Sequence, residues 1–180
     1  MKKKQIELGN KKVIIRLLKS NDELLLKDYF LSVSGKMKKW YSPHLFDDKT
    51  AENICRIKNN KIKRVIVVFD KRIIGYCVLF LGMREWEIYR YNKKFKEDEI
   101  CTIAPSILDD FQSLGLGTEM MKYIIEVSKY YNKKVIILWG GVVLKNYQAI
   151  NFYKKNKFKI NKKWLHPIKK VMSYDMYLEI

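Results

Sequence analysis

Gln112-Ser113-Leu114-Gly115-Leu116-Gly117-Thr118 joins two glycines to a hydroxyl-bearing residue where a helix is expected to begin. Just upstream, Ile100 to Leu108 is an apolar, strand-like run. Downstream, Met120, Met121, Ile124, Val127 and Tyr131 recur at helical spacing, the pattern of a helix with one face in a core. A strand, a short glycine-bearing turn and a helix N-terminus leave backbone N–H groups without intrahelical partners. Together with the positive end of the helix dipole they suit a phosphate. Gly115 and Gly117 would let the backbone approach a ligand with no Cβ in the way. The implied chemistry is pyrophosphate binding, which several cofactors share. A dinucleotide fingerprint needs a third glycine where Met120 stands, and a P-loop needs a lysine that does not follow these glycines. Both of those readings fall.

The elements that must hold this loop can be read along the chain. Val13 to Leu18 is a first strand, and Ser20-Asn21-Asp22-Glu23 opens a helix carrying Leu24, Leu25, Leu26, Tyr29 and Phe30. Residues 40–44 break that pattern, and a second helix runs from Asp47 or Asp48 toward Asn59. Residues 64–69 and 73–80 form a hairpin around Asp70-Lys71-Arg72. Residues 84–97, polar and aromatic by turns, read as a strand extension with an irregular connection. Residues 134–139 form a continuous apolar run suited to a central strand, ended by Gly140-Gly141. Asn146 caps a helix over Tyr147 to Lys155, and Phe158-Lys159-Ile160 and Val171 to Tyr177 close the sheet. The expectation is α/β: a mixed sheet of six or seven strands flanked by about four helices.

With 180 residues, 48% of them hydrophobic, and only 8 Gly and 3 Pro, the chain reads as one domain over 1–180. The formal net charge of +18 points to anionic partners: nucleic acid, an anionic membrane or a phosphorylated cofactor. The excess is mostly lysine scattered along the sequence, which reads as a solvated exterior. Cys55, Cys77 and Cys101 lie far apart in apolar contexts and match no zinc or disulfide spacing. They are expected as buried free thiols, with no metal. No apolar run is long enough to span a membrane, and Lys2-Lys3-Lys4 precedes no signal-like segment. The expected location is the cytoplasm. His44 and His166 are isolated, so they are expected as surface or loop residues.

The loop is followed, after a strand, by Asn146-Tyr147-Gln148-Ala149-Ile150-Asn151-Phe152-Tyr153-Lys154-Lys155-Asn156-Lys157-Phe158. Gln-x-x-Gly-x-Gly with this second block resembles the GNAT acetyltransferase superfamily, from about Ile100 to Ile160. The resemblance implies a GNAT fold whose fourth and fifth strands splay apart, with a cofactor-binding core over about 97–160. It implies acetyl-CoA as cosubstrate, its pyrophosphate on the backbone of Gln112, Ser113, Leu114, Gly115, Leu116, Gly117 and Thr118. Ile107 and Leu108 would pair with the pantetheine arm, Asn146 and Ala149 would adjoin the cofactor, and Tyr153 would protonate the departing thiolate.

Two positions depart from the family pattern. Lys157 replaces a glycine, and Thr102 stands where many relatives carry a glutamate base. Glu97, Asp98, Glu99, Asp109 and Asp110 are nearby but expected in solvent, so no base is assigned. Segments 30–46 and 84–96 are candidates for the acceptor side, and Trp40, Tyr41, Trp86, Tyr89 and Tyr91 within them would line an acceptor pocket or equally pack the sheet edge. The implied activity is N-acetylation of a primary amine on a small molecule or protein, with a homodimer compatible. A catalytically silent acyl-CoA-binding module and a basic nucleic-acid binder are the rivals. Scarce arginine weighs against the second. The positive field disfavours polycationic acceptors and favours neutral, acidic or protein ones.

Overall fold

Apolar alternation in the first third of the chain builds a meander of strands, and the pairing register follows it. The structure, a computed structural model, describes residues 2–9, 11–41, 43–91, 95–166 and 170–180. Ser42 and residues 92–94, in the two candidate acceptor segments, lie outside the described residues. So do 167–169. Two compact units are distinguishable.

The first takes in residues 1–79 and 104–127. Its strands are β1 (Lys4–Leu8), β2 (Lys11–Leu17), β3 (Ile62–Phe69), β4 (Arg72–Phe80) and the second half of β5 (Ile100–Ile107), in spatial order of sequence. β1 and β2 are antiparallel with Ile6 opposite Val13, and β2 and β3 with Ile15 opposite Val67. Asp70 and Lys71, at φ 46° and 58°, turn the β3–β4 hairpin, the left-handed pair that matches strand twist. The helices are α1 (Glu23–Ser32), α2 (Gly35–Trp40), α3 (Asp48–Arg56) and most of α5 (Leu116–Tyr130). Asp47 caps α3 by accepting from the Thr50 N–H at 2.7 Å. Asp22, ahead of α1, holds Arg16 in a two-pronged pair at 2.6 and 2.7 Å.

The second unit takes in Phe80–Ile103 and Ser128–Ile180. Here β9 (Met172–Glu179) is the hub. It pairs antiparallel with β6 (Val135–Leu138), β7 (Val142–Val143) and β8 (Lys159–Leu165). β6 runs parallel to β5, from Ile100 opposite Val135 to Ile103 opposite Leu138. Helices α4 (Glu85–Tyr91) and α6 (Tyr147–Lys155) complete the unit. Tyr91, Ile100, Val135, Ile137 and Tyr177 form a buried cluster, with Met83 and Phe95 against it.

The class is α/β with a mixed sheet, as expected, but it holds nine strands and six helices among the described residues. β1 and the short β7 add to the count of strands. With β1 in front, the strands expected as fourth and fifth, over 100–108 and 134–139, are β5 and β6, a parallel pair. Its pairing ends at Ile103–Leu138, while β5 continues to Ile107. Residues 85–91 form a helix instead of a strand extension. Its buried face is Glu87, Arg90 and Tyr91, the i, i+3, i+4 spacing of a helix carried by charged groups that a hydrophobic pattern does not register. α2 was also unexpected. It is capped by Ser34, which accepts from the Met37 N–H at 3.2 Å, and it buries no residue.

Among the described residues no helix is long and apolar enough to cross a membrane. No group of three or more metal-ligating side chains forms there. Cys55, Cys77 and Cys101 are buried free thiols, and burial pushes Cys101 up to about 12.

Candidate active site

In the first unit, the end of β5 leads into the glycine loop through a single 3-10 turn over Asp109–Phe111. Leu108 donates its N–H to Ile74 at 3.0 Å, and its carbonyl accepts from Phe111 at 2.9 Å. Because successive residues of a strand face opposite edges, Ile107 and Pro105 face away from β4. Pro105 has no N–H, so Ile107 is the backbone donor that edge retains. Gln112 reaches back with its amide nitrogen to the Ile107 carbonyl and to Asp109, each at 2.9 Å. Its own N–H is held by Asp109 at 3.1 Å.

Ser113 and Gly115 lie at φ 61° and 82°, so the chain curls before α5 begins at Leu116. Thr118 and Glu119 donate their N–H groups to the Gly115 carbonyl at 3.0 and 3.2 Å. Among the described residues, the N–H groups of Ser113 through Gly117 form no backbone hydrogen bond. Nothing lies within 4 Å of where a Cβ on Gly115 would point. Gly115 is therefore required for its φ, and the space beside it is open. Inside this unit α5 buries Leu116, Met120, Met121, Tyr123, Ile124 and Val127.

Residues 30–46 do not form an open aromatic lining in this unit. Phe30, Tyr41, His44, Phe46 and Tyr76 pack ring against ring. The His44 Nδ1–H donates to the Leu45 carbonyl at 2.7 Å, which leaves Nε2 to accept from the Tyr76 hydroxyl at 3.1 Å. That hydroxyl accepts in turn from Arg64 Nε at 3.1 Å. Burial, with Arg64 adding to it, lowers His44 to about 4. His44 is thus a neutral packed residue, in the loop between α2 and α3 as one of the two expected placements had it.

In the second unit, Asn146 caps α6 by accepting from the Ala149 N–H at 3.2 Å. The buried Tyr153 ring sits 5.2 Å from both Phe152 and Phe158. Lys157, in the glycine position, takes φ 67°. Gly140 and Gly141 both have positive φ, 70° and 72°. Thr102 is fully buried and donates to the Gly82 carbonyl at 2.9 Å.

Beside Thr102 stands a carboxylate that sequence reasoning missed. Glu87 is fully buried, with Oε2 3.4 Å from the Thr102 hydroxyl. It accepts from the Arg84 N–H at 3.1 Å, from Arg84 Nη2 at 3.2 Å and from the Gly140 N–H at 3.4 Å. The two arginines flanking Glu87 stack with three tryptophans. The Arg84 guanidinium lies 3.7 Å from the Trp139 ring centre and 4.3 Å from Trp86; that of Arg90 lies 4.8 Å from Trp86 and 3.9 Å from Trp164. The result is a ladder, Trp139–Arg84–Trp86–Arg90–Trp164, of cation–π contacts. Asp175 clasps Arg90 through Nε, at 3.1 Å, and Nη2. Burial pulls Arg90 down to about 10.

The chain matches the acetyltransferase (GNAT) family over residues 22–158. It belongs to that family. An uncharacterised N-acetyltransferase of Methanocaldococcus jannaschii is 34% identical over 77 residues, a stretch covering 41% of this chain and 33% of that relative. Among solved structures, the GNAT domain of S. lividans PAT superposes with a TM-score of 0.75 at 11% identity, covering 99% of this chain and 97% of that one. An aminoglycoside acetyltransferase in complex with coenzyme A superposes with a TM-score of 0.66 at 16% identity, covering 93% and 94%.

For this GNAT chain, the 84–96 candidates scatter. Tyr91 is buried and donates to the Met176 carbonyl at 3.0 Å. Tyr89 is exposed, and Trp86 is the middle rung of the ladder. Glu97, Asp98, Asp109 and Asp110 are exposed, as expected. The ladder itself had one signal in the sequence: Arg84, Glu87 and Arg90 at helical spacing around Trp86.

Proposed function

We propose that this GNAT chain transfers the acetyl group of acetyl-CoA to a primary amine. The observation that carries the reading is the run of unengaged backbone N–H groups from Ser113 to Gly117 at the start of α5. Donors without acceptors, at the positive end of a fifteen-residue helix, suit a pyrophosphate. In this reading Ser113, Leu114, Gly115, Leu116 and Gly117 grip it. Gln112 braces the loop, and Thr118 retains its hydroxyl for a phosphate oxygen. Ile107 pairs with the pantetheine arm through its N–H, and Leu108 shapes the turn. Asn146 offers its amide nitrogen, Ala149 its small surface, and Tyr153 a proton.

Acetyl-CoA supplies an activated thioester: the amine nitrogen bonds to the carbonyl carbon, the carbon–sulfur bond breaks, and the sulfur leaves as thiolate. The Tyr153 hydroxyl gives that thiolate a proton, and the proton that the nitrogen sheds on becoming the amide returns to the Tyr153 oxygen through water. An alkyl amine, with a pKa of about 10.4, must shed one to react. Thr102 has no basic group and its hydroxyl is spent on Gly82, so that proton passes to solvent water. Glu87 holds the Gly140 N–H and the start of α4 in place.

The test is release of coenzyme A from acetyl-CoA across a panel of primary amines, with calorimetric titration of the cofactor beside it. Amine-dependent release is expected. Cofactor binding with no release for any amine would leave a silent acyl-CoA-binding module, and absence of binding would overturn the loop assignment.

A further inference from the structure

The second unit leaves several buried polar groups without partners, and three belong to one place. Arg90 Nη1, Trp164 Nε1 and Ser173 Oγ are all buried without a hydrogen-bond partner among the described residues. The Arg90 side chain is 8% exposed, and Ser173 is fully buried. Trp164 pairs directly with Ser173 across β8 and β9, and Lys162 with Asp175. Directly paired residues share a sheet face, so Trp164, Ser173 and Asp175 lie on one face, and Arg90 is held there by Asp175. Gly141 brings two of these side chains together: a Cβ on it would lie 2.6 Å from the Tyr174 carbonyl oxygen, 3.0 Å from Trp164 Nε1 and 3.2 Å from Arg90 Nη2. Arg84 Nε, also buried and unpartnered, belongs to the same ladder.

A buried donor left without an acceptor is costly. The arginine and tryptophan groups are donors only, so what satisfies them presents acceptor oxygens. Glu87 and Asp175 already balance Arg84 and Arg90, which disfavours a dianion such as a phosphate. The stacked rings fix the guanidinium planes, and with Asp175 on the Nε–Nη2 edge of Arg90 a planar monoanion would take Nη1 with one oxygen and the neighbouring orphaned donors with the other.

We propose that Arg90, Trp164 and Ser173 form a recognition site for a carboxylate, carried by the amine that accepts the acetyl group. The acceptor is thus an amino acid or a similar amino-carboxylic acid. The acceptor half of this inference rests on the acetyl-transfer reading; the carboxylate half stands by itself. Because the donors are covered in this structure, binding moves the Trp164 ring.

Two measurements keep the halves separate. The first is nitrogen-15 NMR of the tryptophan indole N–H groups, with the Trp164 signal assigned by its loss in Trp164→Phe. Titration with N-acetylglycine, which has a carboxylate and no free amine, is expected to shift that signal saturably. N-acetylglycinamide, its uncharged counterpart, is expected to leave it in place. No shift, or an equal shift with the amide, overturns the site whatever the turnover results show. The second compares kcat/KM for glycine, β-alanine and 4-aminobutyrate against their amides. At least one acid is expected to exceed its amide by about tenfold or more, the scale of one charge-assisted hydrogen bond. Trp164→Phe, which keeps the stacked ring, should erode that preference through KM with kcat kept, and Ser173→Ala should do so more weakly. A titration shift without any acid preference overturns the acceptor assignment. Coenzyme A release absent for every amine, beside an intact NMR shift, would overturn the acetyl-transfer reading and with it the acceptor half, and leave the carboxylate site standing.

Discussion

In the proposed reaction the Tyr153 hydroxyl matters only to the extent that a departing sulfur needs its proton. Coenzyme A thiolate leaves tolerably without help, so Tyr153→Phe should lower kcat by about 10- to 1000-fold, at or below the lower part of the roughly 100- to 10,000-fold range of general acid catalysis, with cofactor affinity little changed. Unchanged turnover at saturating acetyl-CoA would remove Tyr153 from the mechanism. His44 makes a different demand on pH. Its folded value of about 4 lies below the ordinary 6.5, so between those limits the unfolded chain binds more protons than the native one. Stability from this residue is full above about pH 6.5 and drains away as pH falls toward 4. The loss is at most about 3 kcal/mol, from 1.36 kcal/mol per pKa unit. Urea melts of wild type and His44→Phe at pH 7 and pH 4.5 read this directly. A variant with the same pH slope as wild type would dismiss His44 as the cause. Asp22 acts in the same direction lower down: burial opposes ionisation, but Arg16 outweighs it and holds the carboxyl below its usual range. Its contribution is lost only as pH falls below about 4.

At the scale of elements, β5 reaches its loop because β4 allows close approach at Gly75. A Cβ there would stand 2.5 Å from Ile107 Cδ1 and 3.0 Å from Val67 Cγ2. Gly75→Ala should therefore destabilise by about 1–2 kcal/mol through overpacking, and adding Ile107→Val, which deletes the nearer methyl, should recover part of it. A neutral Gly75→Ala in thermal melts would refute the close approach. After α6, Lys157 holds a left-handed φ that a Cβ makes costly. Lys157→Gly should stabilise by up to about 1 kcal/mol while leaving Tyr153 in place. Elements of this kind were legible in the sequence when their signals were local. α6 and its Asn146 cap were read with the right bounds, and the glycine turn into α5 announced itself by composition. α4 was illegible because its buried side carries Glu87 and Arg90, whose partners Thr102, Gly140 and Asp175 are distant in sequence. The ladder failed for the same reason, since Trp139 and Trp164 meet the arginines only after the second unit folds. β1 was passed over because three consecutive lysines at the start of the chain hid the alternation of Gln5 to Leu8.

For the whole molecule, the net charge of +18 sets the background. Much of the acidic complement is already engaged: Glu52 with Lys27, Glu119 with Lys122, Glu99 with Lys134 and Glu179 with Lys159. The surplus lysines repel one another, and shortening the Debye length from about 30 Å to about 10 Å, by raising salt from about 10 mM to about 100 mM, should relieve part of that. The melting temperature is expected to rise by about 2–4 °C per kcal/mol relieved, and a flat salt series would show the charge to be energetically idle. A gel shift with mixed-sequence nucleic acid, lacking a complex even at low salt, is the expected companion result. The three cysteines bring a last consequence. Buried, and in Cys55 and Cys101 further suppressed by a raised pKa, they make the native protein mute to thiol-reactive dyes. Any colour developing in a reaction mixture is then coenzyme A. The same dye without substrate becomes a clock for unfolding, since each molecule that opens exposes three thiols.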